Sequence, residues 1–190
     1  MKSKTTTRYA ILGLLSIQPM SGYDMKQFVD MAFKHFWSES YGRLYPTLRQ
    51  LETEGLLKSR VYRQRGRPDR RVHTITDKGR RELTEWLEQP ASLPRVRSDL
   101  LLKLFFGHNV PVPSSIEQIR RQREVLETVL KTLQSYRPAV DEGGLSGDQR
   151  MFFLLTIRNG ELVNKARIKW CDEAIKILSK HVSSNEETPS

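Results

Sequence analysis

The sequence holds one cysteine in 190 residues, Cys171. An internal disulfide is therefore impossible, and the chain does not read as one built for an oxidising compartment. No apolar run approaches the roughly 18 residues that span a bilayer. The N-terminal MKSKTTTRYAILGLLSI starts basic and turns apolar, yet no small-residue cleavage site follows it. Ile11, Leu14 and Leu15 read instead as one face of a core helix, and a cytoplasmic protein without membrane contact is the expectation. The histidines His35, His73, His108 and His181 are scattered without ligand spacing, and Cys171 has no paired histidine signature. A phosphate-cradling glycine motif is missing too. These absences leave no catalytic residue, metal site or cofactor to name, and the expectation is that the protein is not an enzyme. Negative charge is the last scarcity: 22 Asp and Glu stand against 32 Lys and Arg, a net charge of +10.

That excess is uneven. Residues 1–95 carry 18 Lys and Arg against 10 Asp and Glu, whereas residues 96–190 carry 14 against 12. A basic half joined to a nearly neutral half implies two jobs, one of them contact with a polyanion. The excess peaks in RQRGRPDRRVHTIT, residues 63–76, with five arginines and one acid.

The apolar spacing predicts a first helix over about Thr6 to Ile17, broken by Pro19. Ser21 then caps a second helix, with Asp24 as the capping-box acid three residues on. A third helix, YGRLYPTLRQLETE, turns Tyr41, Leu44, Leu48 and Leu51 inward, and Gly55 supplies a left-handed stop. Pro46 removes a backbone donor and crowds the Gly42 carbonyl, so this helix begins late or bends. Leu57–Arg63 and Arg71–Thr76 alternate like strands around an arginine-rich turn, a hairpin signal. Thr76 and Asp77 cap a fourth helix whose Leu83, Trp86 and Leu87 point inward.

Past Gln89–Pro94 the pattern is helical throughout. Asp99–Phe106 is apolar nearly all round and is expected to be buried on several sides. Ser114 and Ser115 open a helix that Pro138 ends near Tyr136, and a glycine-rich loop reaches Gly147. From Asp148 to His181 nothing interrupts a helix of about 50 Å. The organisation expected is a basic domain over 1–88, a linker over 89–97, a helical domain over 98–182 and a disordered tail over 183–190.

Three helices followed by a β-hairpin form a winged helix-turn-helix, a mainly α fold with a small hairpin, here joined to an all-α second domain. A B-DNA major groove admits one α-helix. The third helix would turn Gly42, Arg43, Pro46, Arg49 and Gln50 outward, with Tyr45 at its flank and Ser40 and Tyr41 at its start. Arg43 and Arg49 suit bidentate bonding to guanine. At the wing tip Arg65, Gly66, Arg67 and Pro68 suit a minor groove, where negative potential favours arginine. Arg70 and Arg71 would hold flanking phosphates, as would Ser21, Gly22 and Tyr23 at the start of the second helix.

The runs SGYDMKQF, YGRLYPTLRQLETEGLLKSR and GRPDRRVHTITDKGRRELTEWL resemble the PadR family of bacterial transcriptional regulators, over about residues 8 to 88. The segment SDLLLKLFFG and the helices after it resemble the longer C-terminal domain of that family's first subgroup. The resemblance implies a homodimer on a roughly palindromic operator, usually a repressor, often released by a small-molecule effector.

Dimerisation has its own support in the residues. Leu126, Val129, Leu130 and Leu133 form a stripe on one helix, and Leu155, Leu162, Ala166 and Ile177 partly repeat it on the next. A two-fold dimer would set two recognition helices about 34 Å apart, one DNA turn. Trp37, Trp86 and Trp170 read as core aromatics before they read as effector contacts. The rival reading is a winged-helix module that binds an acidic protein partner.

Overall fold

The computed structural model of the chain describes residues 2–30, 41–63, 69–91, 97–143 and 145–186. It divides into two compact units, Met1–Leu93 and Pro94–Ser190.

In the first unit, α1 (Lys2–Ile17) starts four residues before the expected position, since nothing from Lys2 to Thr5 breaks a helix. Beyond Pro19 comes a two-residue strand, β1 (Met20–Ser21), and then α2 (Gly22–Phe28). Ser21 and Asp24 close the predicted capping box across the start of α2. A short 3-10 turn, Tyr41–Arg43, leads into α3 (Leu44–Thr53). The late start resolves the proline conflict. Pro46 falls in the first turn of α3, where its missing N–H breaks no helical bond. Gly55 ends the helix at φ +73°, a conformation that side chains with a Cβ avoid.

The hairpin is formed by β2 (Leu57–Tyr62) and β3 (Arg70–Ile75), antiparallel from the Leu57–Ile75 pair to the Tyr62–Arg70 pair. The third strand, β1, joins the other edge of β3, with Met20 opposite His73 and Ser21 opposite Val72. Pairing of only two residues gives no alternating pattern to read, so β1 was not expected. Thr76 caps α4 (Asp77–Leu87), accepting from the Gly79 N–H. Ile11, Leu12, Leu14 and Leu15 of α1 bury themselves against Met25, Leu44, Leu48, Leu51, Leu56, Leu57, Ile75 and Leu83. Each large side chain removed from water there contributes about 1.5–3 kcal/mol. Leu87, expected inside, is 65% exposed at the end of α4, one position past Trp86, which stacks on Tyr9 with ring centroids 4.5 Å apart.

Polar contacts also fix α3. The Arg8 guanidinium of α1 bonds both carboxylate oxygens of Glu82 on α4 and pairs with Glu54 at the end of α3. Lys78 of α4 donates to the Glu54 carbonyl at 2.9 Å. Burial pushes the Glu54 carboxyl up, but hydrogen bonds from Gln50 and Arg8 outweigh it and hold the carboxyl below its usual range.

The second unit comprises α5 (Asp99–Phe105), a 3-10 turn at Gly107–Asn109, and the antiparallel hairpin of α6 (Val112–Glu142) and α7 (Gly147–Glu186). Three expectations are corrected here. Pro111 precedes α6 and Pro113 lies in its first turn, so prolines rather than Ser114 or Ser115 set its start. Pro138 does not end the helix, which continues to Glu142. Its ring is exposed, as is Gln134, whose carbonyl loses an N–H partner and can bond water instead. Residues 183–186, expected in a disordered tail, are helical, and the Ser183 and Ser184 hydroxyls bond back to the Ser179 and Lys180 carbonyls. Residues 187–190 lie outside the described residues.

A fourth correction concerns α5. No residue of that helix is buried, and Phe105 is 78% exposed beside exposed Leu101, Leu102 and Phe106. Ile119, Leu126 and Cys171 form a small core, flanked by partly buried Leu100 and Leu104. Arg137 of α6 bonds both oxygens of the buried Glu161 of α7, which holds that carboxyl below its usual range against the opposing effect of burial. Among the described residues no helix is long and apolar enough to cross a membrane.

Candidate nucleic-acid interface

A groove of about 960 Å³ opens in the first unit between the start of α2, the outer side of α3 and β3. The inward leucines Leu44, Leu48 and Leu51 set the rotation of α3. That rotation leaves Arg43, Tyr45, Pro46 and Arg49 exposed, and Gly42 beside them. Tyr45 is 56% exposed, and Tyr23 across the groove is 64% exposed. Neither the Arg43 nor the Arg49 guanidinium pairs with a carboxylate among the described residues.

Other expected contact residues are already committed. Ser21 is buried, and both its N–H and its hydroxyl donate to Asp24 Oδ2 at 2.8 Å. Gly22 is buried as well. These two therefore build the start of α2 rather than offer side chains to a ligand. Arg70 donates to the same Asp24 oxygen at 2.7 Å, and Arg71 lies 3.7 Å from Glu52 of α3. Both arginines sit on the groove, but each already faces a carboxylate. Burial pushes the Asp24 carboxyl up, yet the bonds from Arg70 and Ser21 prevail and keep it below its usual range. Ser40 and the wing-tip residues Arg65, Gly66, Arg67 and Pro68 lie outside the described residues, and the Tyr41 side chain is not described.

Sequence reasoning missed two members of the groove. Glu52 accepts from the Ser59 hydroxyl of β2 and faces Arg71. His73 in mid-β3 is only 6% exposed, and its Nδ1 is buried without a hydrogen-bond partner. Burial lowers its pKa; Glu52 opposes this effect and Arg71 adds to it. Burial thus favours the neutral imidazole, in a groove lined by both arginines and carboxylates. The alternation of β3 turns residue 73 inward, but nothing local identifies its neighbours.

Residues 11–85 match the transcriptional regulator PadR-like family, and residues 96–179 match the virulence activator alpha C-terminal family. The negative transcriptional regulator PadR of Bacillus subtilis is 35% identical over 128 residues, 67% of this chain and 70% of that protein. The chain belongs to the PadR-like family. A probable transcriptional regulator of Mycobacterium tuberculosis is 28% identical over 90% of this PadR-like chain and 97% of its own. The crystal structure of a PadR-like regulator from Bacillus cereus superposes with a TM-score of 0.78 at 28% identity, covering 92% of this chain and 99% of that one. The fold is shared with Bacillus subtilis PadR in complex with operator DNA, at a TM-score of 0.78 and 24% identity over 90% and 98% of the two chains. That protein has also been solved with p-coumaric acid. This PadR-like protein is a transcriptional regulator and not an enzyme.

Proposed function

We propose that the protein is a homodimeric repressor that reads a near-palindromic operator with α3 and is released by a small molecule. The observation that carries this reading is the pair of exposed guanidiniums, Arg43 and Arg49, without a carboxylate partner among the described residues, flanking Tyr45 on a helix that buried leucines hold in one rotation. A fixed helix with exposed forked donors suits base edges in a major groove. The wing residues Arg65, Gly66, Arg67 and Pro68 join the contact on sequence grounds, with Tyr23 on a flanking phosphate. Support for repression and release comes from the Bacillus subtilis relative, a negative regulator solved with operator DNA and with p-coumaric acid. A cytoplasmic location accompanies this role.

Within each subunit, residues 1–88 would form the reading domain and 98–182 the pairing domain, with 89–97 as linker. Leu155, Leu162, Ala166 and Ile177 of α7 are exposed and fit a second copy, as do the apolar residues of α5. Leu126 and Leu133 are buried within the chain's own hairpin, so they shape the surface instead of meeting the partner, with Leu130 partly buried between them.

The test is selection of bound fragments from genomic DNA at physiological salt, followed by titration of the winner against a shuffled duplex. The expected result is tight binding to the selected fragment and weak binding to the shuffled one. Equal, weak binding to both would favour a module that grips an acidic protein. Arg67→Ala is expected to weaken binding alike on both duplexes and to flatten the plot of log affinity against log salt by about one unit.

A further inference from the structure

We propose that Gly22 is a positioning residue for operator specificity, because the Tyr45 ring occupies the space that any side chain at position 22 would fill. A Cβ there would lie 2.7 Å from Tyr45 Cε1 and 3.3 Å from Cζ. Comfortable contact between carbons needs about 3.5–4.0 Å. The backbone does not demand the glycine: Gly55 is the one described glycine with positive φ, so residue 22 has a conformation open to alanine. Helix propensity also argues against glycine in α2. What remains is the ring. Tyr45 is more than half exposed, and such a side chain ordinarily exchanges among staggered rotamers. Lying over a bare Cα, it gains a seat on α2 at the groove that Tyr45 and Arg49 both line.

The seat itself is anchored. Asp24 fastens the first turn of α2 to Ser21 and to Arg70 of β3. A methyl at position 22 would therefore displace the ring rather than the helix. This inference rests on the reading of α3 as the operator-facing helix, and it makes Gly22 part of specificity without contact to DNA.

The test is a double-mutant cycle in the full-length protein, titrated against the genomic fragment that the wild type selects and against a shuffled duplex. Gly22→Ala is expected to lower the ratio of selected to shuffled affinity by roughly 10-fold, within the range of one base contact. Affinity for the shuffled duplex would change less than about 3-fold, far below that effect. Tyr45→Ala is expected to lose as much, and the double variant no more than Tyr45→Ala alone. Multiplying losses, or a Gly22→Ala protein that discriminates like the wild type, would overturn the proposal. Should Gly22→Ala fail to fold, a double variant that folds and matches Tyr45→Ala supports the seat. A double variant that also fails shows that the methyl strikes something else and overturns it. Failure of the wild type to discriminate would sink the operator reading itself, before any variant is compared.

Discussion

Asp24 gathers three hydrogen bonds on one oxygen, from the Ser21 N–H, the Ser21 hydroxyl and Arg70. The capping box is a local pattern and could be read from Ser-x-x-Asp. Arg70 is 46 positions away, and no spacing rule says which of the five arginines of the basic stretch would return to α2. Asp24→Asn keeps an acceptor for the cap but loses the ion pair. Because Arg70 is half exposed, the expected loss is at most about 1 kcal/mol, checked by urea unfolding. His73 gives the pH dependence. Its folded pKa lies below the ordinary 6.5, so above that value it contributes no pH dependence. As pH falls through about 6.5 the unfolded chain takes up the proton first, and stability declines until the folded pKa is passed. Unfolding of the wild type and of His73→Gln at pH 7.5 and at lower pH, on the order of 5.5, should give a difference that changes across this window. A constant difference would mean that the buried imidazole titrates normally.

Among the elements, those with a long periodic apolar face were legible. The leucine spacing of α3 located both its core side and its outward residues, and the alternation of β2 and β3 located the hairpin. Elements defined by what opposes them were not. β1 exists only because β3 offers an edge, and α6 passes through Pro138 because that turn is exposed and α7 grips Arg137 beside it. Pro138→Ala restores an N–H to the Gln134 carbonyl without disturbing a buried contact. It is expected to stabilise the second unit by about 1–3 kcal/mol, seen as a rise in melting temperature. An unchanged or lower melting temperature would show that the proline bend itself fits α6 to α7.

For the whole molecule, the charge asymmetry between halves corresponds to a first unit that bears an arginine-rimmed groove and a second whose helices leave apolar side chains in solvent. The apolar run of α5 was legible as a surface that needs covering, but not that Leu101, Leu102 and Phe105 are left exposed. For the proposed homodimer, placing charges there, with Phe105→Glu and Ile177→Glu together, is expected to give a monomer by light scattering while helix content by circular dichroism stays unchanged. Operator affinity should fall with it, since one half-site alone lacks the second set of contacts. The doubly charged protein remaining dimeric would place the pairing surface elsewhere.

Arg8 touches neither groove nor apolar face, yet it holds carboxylates on α3 and α4 at once. The clasp ties the first helix to the end of the third, beside the apolar packing between them. Substitution of Arg8 would remove that tie and leave the apolar packing in place.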